Sequence, residues 1–293
     1  MARPRQSKLV FFRVNYPHWW GKEAAGRVLQ ASFSMSEGRQ GEYKQRHWYT
    51  GEFDRLASGR WYFKLGKARE DLTHSTIRVE KGKYVFPVEG EGPVVPTVRA
   101  LFDPEHSLLA METSAEISAG QIKGSLEDVL RVTRAELLKQ DVDASLGDII
   151  LVPLSNKADF FSWANEMEQV TTISFQFWPT NPNPMKSFEK WDEQQREAKS
   201  DETHLTVRSK ANGLKVRSEI VETGIAQVQA GYGTASAHGT TAEGVRRTWH
   251  SARELVMRVV EWFDDKDKLD QAWSRAARDA EKKAERKHDK KPK

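Results

Sequence analysis

Between Thr171 and Trp178 apolar and polar residues alternate one by one. Ile173, Phe175 and Phe177 fall on one side, and Thr172, Ser174 and Gln176 fall on the other. A period of two marks a β-strand with one apolar face to bury. Just upstream, Phe160, Trp163, Ala164 and Met167 recur at i, i+3, i+4 and i+7, the stripe of a one-sided helix that Asn156 can cap. A half-buried strand beside an amphipathic helix makes this part of the chain a mixed α+β unit.

The first hundred-odd residues read as β-rich. Leu9 to Val14 is an apolar strand, and Trp61 to Leu65 is another, entered through the turn-like Ser58-Gly59. Two hairpins follow: Thr76–Glu80 with Tyr84–Val88 around Gly82, and Thr97–Phe102 with Leu108–Glu112 around Asp103-Pro104-Glu105-His106. Gly38 to Thr50 is polar and reads as a loop before a short strand. Ser125, with Asp128 three residues on, resembles a helix start, and Leu126, Val129, Leu130 and Leu137 keep one face apolar. Asp148 to Leu154 is a strand closed by Pro153.

Pro179 to Pro184 breaks the pattern before a charged, helical stretch through Lys199. Leu205 to Arg208 reads as a strand, Leu214 to Gln229 leans helical, and Gly231 to Gly239 is a strand or close-packed loop of small residues. A final helix is expected from Ser251 to Phe263, burying Leu255, Val259 and Trp262, followed by a charged tail. The expected fold class is therefore α+β in two domains. A β-rich N-terminal domain takes residues 1–115, a mixed α+β domain 116–263, and a charged C-terminal tail 264–293.

Chemistry is constrained mainly by what is missing. The chain has no cysteine, so neither disulfides nor thiolate chemistry is available, and this fits a reducing compartment. No apolar run reaches the roughly 18 residues of a membrane span, and Leu9 to Phe12 is too short for a secretory core. A soluble, cytoplasmic protein is expected. There is no Gly-x-Ser-x-Gly, no His-Glu-x-x-His and no phosphate-binding glycine loop. No cofactor, metal or catalytic residue is therefore assigned, and the residues favour a binding protein over an enzyme.

Weaker patterns have plain explanations. His204, His238 and His250 could converge but read as surface or structural residues. Asp264 to Asp267 reads as a solvated charge run at a helix C-terminus. Glu42-Tyr43-Lys44 matches only half of a nuclease core. Gly231-Tyr232-Gly233 reads as close backbone packing.

Basic clusters are the more informative feature of a chain whose net charge is +4. Arg208, Lys210, Lys215 and Arg217 surround the Asn212-Gly213 turn, and Arg246-Arg247 stand beside Trp249. Such groups could contact phosphates, each contact releasing condensed counterions. Arg60 to Lys67 alternates cations with aromatics, as single-strand binding surfaces do, although Trp61 and Phe63 on one strand face read as core.

One further signal lies in the order of features. Ile149 to Leu154 followed by Lys157-Ala158-Asp159, then Thr171-Thr172-Ile173-Ser174-Phe175, the small residues of Gly231 to Gly244 and the closing amphipathic helix occur in the arrangement of a known family. From about Asp148 to Phe263 the chain resembles the family of the A protein of the phage-lambda Rex exclusion system (RexA) and its bacterial relatives. The Trp61 to Lys64 strand is similar in position, and Pro179 to Ser200 departs in length. The resemblance implies a cytoplasmic homodimer that binds double-stranded DNA with little sequence preference and signals phage invasion to a membrane-embedded effector partner. It places the basic segment at Arg208, Lys210, Lys215 and Arg217. The alternatives are a metal-dependent nuclease or other nucleic-acid enzyme, and a protein-interaction scaffold.

Overall fold

The computed structural model describes residues 6–16, 22–34, 40–43, 46–68, 78–80, 83–85, 96–139, 148–155, 157–179, 193–195, 197–198, 200–210, 212–253, 255–261, 263 and 265–285. The first half comprises β1 (Gln6–Asn15), α1 (Lys22–Ser34), β2 (Gln40–Tyr43), β3 (Arg46–Arg55), β4 (Trp61–Ala68), β5 (Arg78–Glu80), β6 (Lys83–Val85), β7 (Thr97–Asp103), β8 (Leu108–Thr113) and α2 (Ala119–Lys139). The second comprises β9 (Ile150–Pro153), α3 (Lys157–Asn165), β10 (Gln169–Phe177), β11 (Thr203–Arg208), α4 (Glu219–Gln229), β12 (Gly233–Thr240), β13 (Arg246–His250), β14 (Met257–Glu261) and α5 (Lys266–Glu285).

A large antiparallel sheet runs β14-β1-β8-β7-β4-β3-β2, with β9 also paired to β1. The apolar run in β1 is continuous rather than alternating because both of its faces are covered. Val10, Phe12 and Val14 join the core under α1 and α2. Leu9 and Phe11 join a second core under α5. A smaller antiparallel sheet, β11-β10-β12-β13, carries α3 and α4 on one face. The fold is thus α+β with a β-rich N-terminal part, as the sequence pattern indicates. The expected boundary near residue 115 falls between β8 and α2, and both pack in the same core.

Several local expectations are corrected. α2 starts at Ala119, not Ser125. Ser118 and Gln121 cap it reciprocally, the Ser118 amide donating to Gln121 Oε1 at 2.9 Å and the Gln121 amide to Ser118 Oγ at 3.4 Å. The helix expected over 251–263 is a 3₁₀ turn at Ser251–Arg253 and the strand β14, which pairs with Gln6 to Val10. Val259 is 57% exposed rather than buried. Spacing at Leu255 and Val259 suits a helix, but the free edge of β1 offers backbone partners that local periodicity does not encode. The charged tail contains α5, a helix with Leu269, Trp273, Ala276 and Ala280 buried. Asp265 opens this helix rather than closing one, since the Lys268 amide donates to Asp265 Oδ1 at 2.8 Å.

The two sheets are joined where β1 meets the C-terminal end of α4. Arg13 Nε donates to the Ala230 carbonyl at 3.1 Å, and Asn15 Nδ2 donates to that of Gly231 at 2.8 Å, satisfying acceptors that a helix end leaves bare. Gly231 has φ +82°, and a Cβ there would sit 2.6 Å from Arg13 Cβ and 2.9 Å from Leu154 Cδ2. Gly231→Ala should therefore destabilise the protein by more than about 1 kcal/mol in urea denaturation. A neutral result would show that this joint yields without cost.

Candidate nucleic-acid interface

The smaller sheet is covered on one face only. Ile173, Phe175 and Phe177 of β10, Ala235 and Ala237 of β12 and Trp249 of β13 pack with Phe160, Phe161 and Val221 beneath the helices. Every intervening residue points the other way. Strand register places Arg208, Thr172, His238 and Thr248 in one row across the outer face, and Thr206, Ser174, Ser236 and His250 in the next. A third row holds His204, Gln176 and Thr234, and Thr240 stands opposite Arg246 at one end. The outward residues on β10 and β12 are half-buried apart from the exposed His238, and those on β11 and β13 are mostly exposed.

None of these outward positions is a carboxylate. The surface is a carpet of hydroxyls and imidazoles with two guanidinium groups. Ser174 and Thr206 hydrogen bond at 3.2 Å, and His238 Nδ1 lies 3.1 Å from Thr248 Oγ1. A depression of about 320 Å³ is lined by Gln176, His204, Thr234, Ser236 and His250. At its margin Glu202 accepts from Gln176 Nε2 at 2.7 Å and lies 2.9 Å from His204 Nε2. Those two partners, His204 foremost, hold the Glu202 carboxyl below its ordinary value.

The expected site residues divide. Arg208 and Arg246 share the open face, are exposed, and make no ion pair among the described residues. Lys210 follows Arg208 just past the end of β11 and is also exposed. Lys215 is exposed in the segment leading to α4. Arg217 and Arg247 belong to the helix side instead. The Arg217 guanidinium lies 4.0 Å from the centre of the Phe161 ring and its Nη1 lies 3.8 Å from Glu222, while Arg247 pairs with Glu166 at 3.2 Å. The three histidines do gather on one face, but no group able to hold a metal forms among the described residues.

Other motifs resolve as packing. Trp61, Tyr62, Phe63 and Leu65 are buried, so the Arg60 to Lys67 strand is not a stacking surface. Its cations are engaged: Arg60 with Asp103 at 3.0 Å and Asp270 at 3.3 Å, and Lys64 with Glu52 at 2.7 Å. Gly231-Tyr232-Gly233 is the close-packed crossing expected, since a Cβ on Gly233 would stand 2.7 Å from the Gln176 carbonyl. Within the Glu42-Tyr43-Lys44 pattern, only the backbone of the first two lies in the described residues, and most of Pro179 to Lys199 lies outside them. The sequence signal for the open face is the alternation in β10, which sorts Thr172, Ser174 and Gln176 from the core.

The described residues thus form an α+β protein in which a large sheet and a four-stranded sheet stand beside the short β5-β6 hairpin, and the four-stranded sheet presents a polar face with no carboxylate at its outward strand positions. No described helix is long and apolar enough to cross a membrane. Residues 80–278 match the family model described as Domain of unknown function (DUF4747), and the chain belongs to that family. No curated protein matches the chain.

Proposed function

We propose that this protein binds nucleic acid, double-stranded DNA above all, without sequence preference, through the open face of the smaller sheet. The observation that carries this reading is that none of the outward strand positions is a carboxylate, on a surface that holds Arg208, Arg246, three imidazoles and a row of hydroxyls and has Glu202 at its margin. Hydroxyls and guanidinium groups donate to phosphate oxygens, contacts that position a duplex without reading its sequence. No Trp, Tyr or Phe stands at the outward strand positions, so the surface lacks the large stacking rings that single-strand binding surfaces use. The resemblance to the Rex exclusion family supplies a context, in which the protein is the DNA-binding component of a phage-exclusion response.

The test is fluorescence anisotropy of a labelled duplex titrated across a potassium chloride series. Affinity should fall linearly on a log–log plot against salt. Arg208→Ala combined with Arg246→Ala should lower the slope by about 2 and weaken binding on the order of tenfold or more at low salt. Arg275→Ala on α5 should leave both quantities unchanged. An absence of binding at low salt, or a double variant that binds as tightly as the parent, overturns the proposal.

A further inference from the structure

A cleft of about 200 Å³ opens where the two sheets meet, and its chemistry is opposite to that of the open face. It lies at the end of β1, between the residues leading into β9, those following β10 and those preceding β11. Tyr16 and Trp178, both largely buried, supply aromatic surface, and Asp148, Asp201 and Glu202 supply carboxylates. No lysine, arginine or histidine is among the described lining residues.

Asn15, also in the lining, is the independent sign of a missing ligand. It is 2% exposed, and its Nδ2 is committed to the Gly231 carbonyl. Its Oδ1 is buried and accepts no hydrogen bond among the described residues. A buried carbonyl oxygen without a donor is costly and asks for a partner. The carboxylates are unequally satisfied. Glu202 has Gln176 and His204, Asp148 has Arg134 at 2.9 Å, and Asp201 is exposed with no ion-pair partner among the described residues.

An occupant must therefore bring hydrogen-bond donors and positive charge. No three carboxyl or imidazole groups among the described residues come together to hold a metal ion. Indole and phenol faces attract organic cations. The volume corresponds to about six or seven waters at roughly 30 Å³ each, a space that suits a ligand of about six non-hydrogen atoms.

We infer that this cleft binds a small aliphatic ammonium compound, the diamine class, with an ammonium group donating to Asn15 Oδ1 and to the Asp201–Glu202 carboxylates against Trp178. The inference is independent of the nucleic-acid reading, and its test contains no nucleic acid. Isothermal titration of the full chain with butane-1,4-diamine should give saturable binding of one molecule per chain. The neutral butane-1,4-diol should give none. Asp201→Asn combined with Glu202→Gln, both exposed positions, should weaken diamine binding about tenfold while shifting the thermal melt little. The inference is overturned by no heat with the diamine, by binding unchanged in the double variant, or by equal binding of the diol. Displacement of the diamine by an equal concentration of magnesium also overturns it, in favour of a metal site.

Discussion

Replacing Glu112 with alanine should remove about 3–5 kcal/mol of unfolding free energy, read by urea denaturation. Glu112 on β8 and Arg99 on β7 are 5% and 8% exposed, between the large sheet and the segment that leads into α5. The carboxylate collects four donors. Arg99 Nε and Nη2 reach it at 2.9 and 2.6 Å, the Arg99 amide at 3.2 Å, and Ser7 Oγ of β1 at 2.7 Å. Arg99 Nη1 continues to the Phe263 carbonyl at 2.6 Å. Removing Glu112 would take the bidentate carboxylate from a buried guanidinium, and the cost of keeping that charge buried without it, rather than the lost attraction, sets the magnitude. The same physics predicts rescue: Arg99→Met with Glu112→Leu should recover most of the loss, because an apolar pair needs no compensation. A cost under about 1 kcal/mol for Glu112→Ala would mean that water reaches the site and relaxes it.

That network could not be read from the sequence, and the reason also explains the other misses. Local periodicity reports which face of an element is buried, not what buries it. The alternation of Ile173, Phe175 and Phe177 is honoured residue for residue in β10, and the stripe of Phe160, Ala164 and Met167 is honoured in and just beyond α3. By contrast, β14 exists because β1, some 250 residues earlier, offers it a partner through register Gln6↔Glu261 to Val10↔Met257. α1 carries Ala25, Val28, Leu29 and Phe33 at helical spacing, a signal that was present but interrupted by Gly26 and Ser32. The basic cluster was legible as composition but not as a surface. Arg208 ends a strand on the open face, whereas Arg217, nine residues later, leans on Phe161 on the opposite side of the sheet. Only the pairing of β10 with β11 and β12 decides which cations can meet one ligand.

Trp273→Ala should cost about 3–5 kcal/mol, the range for emptying a large buried aromatic site. The chain's last thirty residues are rich in lysine and acid, which suggests a solvated tail, yet Trp273 is fully buried among Leu9, Phe11, Leu154, Val256 and Leu269. Leu269 and two alanines supply the rest of the buried stripe, and each buries less area than the indole, so the anchoring of α5 depends heavily on this side chain. An isolated helix of this length is marginal in water, so α5 persists by packing rather than by propensity. Arg60 reinforces it at the rim by joining Asp103 of β7 to Asp270 of α5, a partly buried bridge of smaller consequence than the indole. Hydrogen exchange should locate the damage: amides of α5 should lose protection in the variant before those of β10 and β12, whose core lies under other helices. Equal loss across both sheets would show that α5 and the smaller sheet unfold as one unit. Unchanged stability would remove α5 from the core and restore the reading of this region as tail.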